Sequence, residues 1–148
     1  GGEGGGMMIL VSLLCSLLRG ARNPSGKCVA ADLLCRTGLG CSDDVKLQHV
    51  TPYLLGMVTD PHAIVRVVSL RAISRTLRSV RAFPPSEERM FSEYVIPSLA
   101  LLCSDPEDVV KVQFVSELAG LCGTFRRHWA REDGDTRGRD AAEAPGGG

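Results

Sequence analysis

Residues 50–67, VTPYLLGMVTDPHAIVRV, return as residues 95–112, VIPSLALLCSDPEDVVKV. Val50, Pro52, Leu54, Asp60, Pro61, Val65 and Val67 fall on Val95, Pro97, Leu99, Asp105, Pro106, Val110 and Val112. Unrelated sequence of ordinary composition would match at about one such position. Several mismatches are mild: Met57 on Leu102, Thr59 on Ser104, Ile64 on Val109 and Arg66 on Lys111. A weaker first copy lies upstream, where Asn23-Pro24 aligns with Asp60-Pro61, Ala30 with Val67 and Leu33 with Leu70.

Each copy reads as a pair of helices. Apolar residues recur at spacings of three and four, as in Leu47, Val50, Leu54 and Met57, then Leu70, Ile73, Leu77 and Val80, then Val95, Leu99 and Leu102. That is the period of a one-sided helix. No stretch alternates with period two for long, and no Asn-Gly or Asp-Gly hairpin turn separates apolar runs. Breaks at Asn23-Pro24, Gly38–Ser42, Asp60-Pro61, Pro84-Pro85 and Asp105-Pro106 divide the chain. They predict helices over 7–19, 24–37, 44–59, 61–82, 87–103 and 106–126. Asp-Pro suits a helix start, with aspartate accepting from free N–H groups and proline at the first helical position.

A helix-pair repeat of about 40–47 residues is the mark of HEAT or armadillo solenoids. The expected fold is all-α, a right-handed solenoid of about three antiparallel helix pairs over 7–38, 44–82 and 87–126. Such pairs bury their apolar faces only by stacking on each other. Pro52 and Pro97 lie inside the first helices of their pairs and are expected to bend them. On a helical wheel Arg66 falls inside the arc of Leu70, Ile73, Leu77 and Val80, where a charge needs a partner. Asp60 or the aspartate of an adjacent repeat can supply it. Asp60, Arg66, Asp105 and Lys111 resemble in this respect the structural ladder of HEAT proteins. Arg71, Arg75 and Arg78 share the opposite face of the same helix. They form either a solvated face or a basic patch for an acidic partner or anionic lipid headgroups.

Composition bounds the function. The chain has 148 residues, with 17 basic and 17 acidic side chains and 5% aromatics. A neutral, aromatic-poor chain is no generic polycation and offers no stacking platform for bases, so no nucleic-acid partner is expected. Ten of the 17 glycines lie in residues 1–6 and 130–148. These segments read as a glycine-rich disordered leader and a disordered tail, leaving 7–129 to fold. The six cysteines, at 15, 28, 35, 41, 103 and 122, include no C-x-x-C pair. Zinc and redox-dithiol readings therefore lack their spacing, and Cys28 and Cys35, seven apart on one helix face, read as small buried hydrophobes. Residues 7–18, MMILVSLLCSLL, are too short to span a bilayer and lack the basic flank of a signal peptide, so they read as a buried helix. His49, His62 and His128 sit apart with no metal-ligand spacing, and no G-x-S-x-G elbow occurs. Asp43-Asp44 and Glu87-Glu88 lie at helix starts, where the helix dipole accounts for them. Phe125 and Trp129 are placed to fold onto the end of the array or to meet a further repeat.

The wording of the repeats is more specific than their length. His49–Leu77, HVTPYLLGMVTDPHAIVRVVSLRAISRTL, and Phe91–Leu121, FSEYVIPSLALLCSDPEDVVKVQFVSELAGL, are similar to the HEAT region of the phosphoinositide 3-kinase regulatory subunit 4 family. This is the serine/threonine-protein-kinase-like regulatory subunit of class III phosphatidylinositol 3-kinase complexes. The segment MMILVSLLCSLLRG resembles the helix that opens that HEAT array, so the resemblance is collinear over about 7–125. The family combines a myristoylated kinase-like domain, HEAT repeats and a WD40 propeller. The resemblance implies a non-catalytic scaffold segment that supports autophagy and endosomal or vacuolar sorting. It implies the class III lipid kinase catalytic subunit and its coiled-coil partner as partners, and a cytoplasmic site peripheral to endosomal and autophagic membranes. No G-x-G-x-x-G loop after a strand, no His-Arg-Asp and no Asp-Phe-Gly occurs, so no catalytic residue, cofactor or metal is expected. No Met-Gly start is present to carry myristoylation over, and the chain reads as a fragment. A generic HEAT or armadillo adaptor is the alternative. A small secreted helical protein with disulfides is a third reading.

Overall fold

The computed structural model describes residues 3–142, with side chains described for 4–130. It is all-α and HEAT-like, with six helical segments in three consecutive pairs and no strand among the described residues. We number them α1 (Glu3–Gly20), α2 (Pro24–Leu39), α3 (residues 43–55), α4 (Ala63–Arg78), α5 (residues 85–104) and α6 (Asp108–Ala142). The second helices form one layer, α2 against α4 and α4 against α6, while α1, α3 and α5 pack on the partner that follows each. The core runs through all three pairs: Val11, Leu14 and Leu34, then Leu47, Leu54, Leu70, Ile73 and Leu77, then Val95, Leu99 and Val110.

Two boundaries differ from the sequence reading. Helix α1 begins at Glu3, inside the expected leader, and α6 continues to Ala142, through most of the expected disordered tail. A helix nucleated by a packed segment extends at little further cost, because each added residue gains one hydrogen bond. Gly1, Gly2 and residues 143–148 lie outside the described residues.

The repeat extends to backbone detail. In α3 a wide π-turn at Lys46–Val50 precedes Pro52, and in α5 a matching π-turn at Phe91–Val95 precedes Pro97. The N–H of Thr51 reaches back five residues to the Lys46 carbonyl, and that of Ile96 to the Phe91 carbonyl. The simple bend expected at Pro52 and Pro97 thus takes the form of a π-turn. The wide turn makes room where a proline ring would meet the carbonyl four residues back, and π-turns absorb such insertions. The Thr51 hydroxyl adds a 2.7 Å bond to the Lys46 carbonyl.

The Asp-Pro turns also differ from simple caps. Helices α4 and α6 begin two residues later than expected, at Ala63 and Asp108. The Asp60 carboxylate accepts from the His62 N–H at 2.9 Å, and the Asp105 carboxylate from the Glu107 N–H at 2.9 Å. Each aspartate therefore closes a turn over its own proline, the local bond these short side chains favour. Only the first pair carries the plain arrangement. Asn23 caps α2 by accepting from the Ser25 N–H at 2.8 Å, with Pro24 as the first helical residue.

Candidate partner-binding surface

A line of ion pairs joins the repeats. Lys27 of α2 reaches the Asp60 carboxylate at 2.6 Å. Arg66 of α4 grips Asp105 with Nε at 2.8 Å and Nη2 at 2.9 Å, a two-pronged pair. Its Nη1 donates to the backbone carbonyls of Asp60 and Pro61 at 2.8 and 3.2 Å. Of the two partners open to Arg66 in the sequence, the structure thus gives it the carboxylate of the next repeat and only the backbone of Asp60. The pairing sets the charge states. Arg66 holds the Asp105 carboxyl below its ordinary range despite burial, and Asp105 in turn raises Arg66. Burial pushes the Asp60 carboxyl up, but the bonds from Lys27 and His62 together hold it low. Lys111, aligned with Arg66, pairs instead with Asp108 one turn away in its own helix, at 2.9 Å.

Sequence reasoning missed Lys27 and Lys46. Lys27 lies four residues after Asn23, whereas Arg66 lies six after Asp60, so alignment pairs Lys27 with Ile64. Its signal was a lone cation in the first turns of α2 facing the aspartate of the next repeat. Lys46 is buried and donates to the Ser79 carbonyl at 3.2 Å, with Asp43 3.5 Å away. Asp43 also accepts from the N–H groups of Arg81 and Ala82. This polar clasp satisfies the chain as it leaves α4.

Arg71, Arg75 and Arg78 line the outward edge of α4 and are exposed. They border two grooves. One, towards α2, contains Asp32, Leu33 and Arg36. The other, towards α6, contains Leu39, Ser79, Glu117 and Arg127. Arg71 donates to the side-chain Oε1 of Gln113 at 3.4 Å, and the Arg78 guanidinium lies against Gly120. Among the described residues none of Arg71, Arg75, Arg78 and Arg127 makes an ion pair.

At the α5–α6 end, aromatic residues gather in a chain poor in them. Phe83 and Phe91 meet edge to face at 4.4 Å, Phe83 and His128 at 4.4 Å, Phe91 and Phe125 at 5.4 Å, and Phe125 and Trp129 at 5.9 Å. Phe125 thus packs across to α5, while Trp129 meets Phe125 of its own helix and stays 49% exposed.

All six cysteines are free thiols. Burial raises the pKa of Cys15, Cys28, Cys35 and Cys41, so these thiols stay protonated at neutral pH. Cys35 sits fully inside, donating to the Ala72 carbonyl and accepting from Thr76. Among the described residues no three His, Cys, Asp or Glu side chains converge on a metal-sized site, and no helix is long and apolar enough to cross a membrane.

Comparison with known proteins follows the same repeats. The profile of a family described as "PIK3R4-like, middle domain" matches residues 10–143. The "Serine/threonine-protein kinase VPS15" of Arabidopsis thaliana is 38% identical over 119 residues, covering 80% of this chain and 8% of that protein. The "Probable serine/threonine-protein kinase vps15" of Dictyostelium discoideum is 32% identical over 126 residues, covering 82% of this chain and 6% of that protein. The "Serine/threonine-protein kinase VPS15" of Saccharomyces cerevisiae is 26% identical over 125 residues, covering 80% and 9%. The chain therefore spans less than a tenth of the length of these relatives. With the match running through all three helix pairs, the chain belongs to the PIK3R4-like family, in the part that is its middle domain.

Proposed function

We propose that this chain is a non-catalytic scaffold segment of a class III phosphatidylinositol 3-kinase regulatory subunit. On this reading it holds the lipid kinase catalytic subunit and its coiled-coil partner in a complex that serves autophagy and endosomal or vacuolar sorting. It works in the cytoplasm, at the surface of endosomal and autophagic membranes. The observation that carries the reading is the family match over 10–143, which falls on stacked helix pairs. Stacked helices bind partners through an extended surface rather than a deep pocket. The relatives are named as kinases, but they share only the middle domain with this chain. The residues present include none of the kinase phosphate-loop or catalytic-loop motifs.

The test is co-purification of the 148-residue chain with the catalytic subunit and the coiled-coil partner, beside an Arg71→Glu/Arg75→Glu/Arg78→Glu variant. Capture by the native chain supports the scaffold reading. Loss in the variant places the contact on α4, and retention moves it to another face. Failure of a helical, folded chain to capture either protein sinks the reading and leaves a generic HEAT adaptor.

A further inference from the structure

The geometry points to the groove between α4 and α6 as a docking site for an acidic helical segment of a protein partner, read by Arg71, Arg75, Arg78 and Arg127. This deepens the scaffold reading and rests on it for the idea that this surface meets partners.

The first argument is spacing. Arg71, Arg75 and Arg78 stand at i, i+4 and i+7 of a regular helix. Their origins form a line about 10 Å long, at about 1.5 Å per residue. A helix with acids at the same spacing presents its carboxylates in a matching line. The second is charge. Four guanidinium groups line or border the groove, against one carboxylate, Glu117. That carboxylate is already engaged: one oxygen accepts from the Ser74 hydroxyl at 2.5 Å and the other from the Gln113 amide at 2.8 Å. With no ion pair among the described residues, the arginines keep free donors. Guanidinium forks grip carboxylates in two-point fashion.

The third argument is the seat of Arg78. A Cβ at Gly120 would stand 3.3 Å from its Nε, Cζ and Nη1. The guanidinium is thus laid against the bare backbone of α6. This rests one fork against α6 at the edge of the groove. Arg71, Arg75 and Arg78 come from α4 and Arg127 from α6, so a helix lying between them meets arginines from both sides.

The test uses the full chain and two fluorescent helical peptides on an alanine background. One carries glutamates at i, i+4 and i+7, and the other carries glutamines there. Anisotropy titrations are run at low and high salt, beside vesicles of phosphatidylcholine with phosphatidylserine. The glutamate peptide is expected to bind, more weakly at high salt, and the glutamine peptide to bind at least about tenfold more weakly. Arg75→Glu/Arg78→Glu is expected to lose at least about tenfold in affinity, and Arg75→Gln several-fold, both with unchanged helical circular dichroism. The proposal is overturned if the folded chain ignores the glutamate peptide, binds both peptides alike, or binds undiminished after charge reversal. Arginine-dependent capture of vesicles without capture of the peptide also overturns it, in favour of a lipid surface. The peptide assay needs no kinase subunit. Failed co-purification with successful peptide binding would therefore count against the complex and not against the groove.

Discussion

The second and third helix pairs share one backbone and bury it differently. Their π-turns, prolines and Asp-Pro turns coincide residue for residue. Yet Leu70 and Ile73 of α4 are wholly buried, while the aligned Val115 and Leu118 of α6 are 67% and 41% exposed. Val67 is 5% exposed and its counterpart Val112 64%. Arg66 is locked between two turns, and Lys111 reaches no further than Asp108. The motif alone therefore does not decide whether its cation is a structural rung. A neighbouring pair must supply the apolar cover and the aspartate. The polar clasp differs too: where the second pair uses Lys46, the third has Phe91 inside an aromatic cluster. A common register thus tolerates opposite chemistry where the π-turn of the first helix meets the second, Lys46 on the end of α4 and Phe91 on Phe125 inside α6.

The largest expected difference is in the core. Leu70→Ala should cost about 2–5 kcal/mol, because it opens a void at a fully buried position. Val115→Ala, at the aligned but uncovered site, should stay within about 0.5 kcal/mol. Urea unfolding followed by circular dichroism measures both. Similar losses at the two sites would mean that α6 is covered as α4 is, and the contrast would fall.

The rungs come next. Asp105→Ala strands the buried Arg66 and should cost about 3 kcal/mol. Asp108→Ala should produce no resolvable change, since solvent replaces the partner of an exposed lysine. Acid should separate the same pairs. Asp60 and Asp105 have carboxyl pKa values held below the ordinary range in the folded chain. A lowered folded pKa contributes stability that is complete above the unfolded value, about 3.9, and is lost as pH falls through the folded one. The urea midpoint of the native chain should therefore drop on going from about pH 4 downward. In Asp105→Asn that fall should be shallower from a lower start. A parallel fall in the two proteins would remove Asp105 as a source of acid sensitivity.

Much of this was open to sequence reading, for physical reasons. Apolar spacing and the return of Asp-Pro after one helix pair are local signals, and they located six helices and the stacking mode. Arg66 stood out because a cation in an apolar arc demands a partner. What escaped depends on neighbours. Lys27 sits out of the aligned position, Lys46 looks like any surface lysine, and the choice of Asp105 over Asp60 is made by distance across two repeats. The π-turns escaped because proline signals only that a hydrogen bond is missing, not how the turn widens. The ends of α1 and α6 escaped because glycine and mixed charge argue against helix, while a packed helix beside them favours continuation.

The finest test asks whether cover alone sets the sign of a substitution. Gly38 and Gly120 both lie inside second helices. In solvent-exposed helix either change to alanine would gain about 0.5–1 kcal/mol, since glycine loses more backbone freedom on folding. At Gly38 the new methyl would meet Val50 Cγ2 at 3.0 Å and Cγ1 at 3.3 Å. Val50 is wholly buried in the π-turn of α3 and cannot withdraw, so Gly38→Ala should cost about 1–3 kcal/mol. At Gly120 the three atoms nearest the methyl all belong to the far end of Arg78, an exposed side chain with room to swing out. Gly120→Ala should therefore raise stability by up to about 1 kcal/mol while weakening the grip of the groove on an acidic peptide. Opposite shifts in urea midpoint for the two glycines would tie the difference to what lies against each. A loss at both would mean that Arg78 is held on α6 as firmly as Val50 is held in the core, and that the groove is more rigid than its exposure implies.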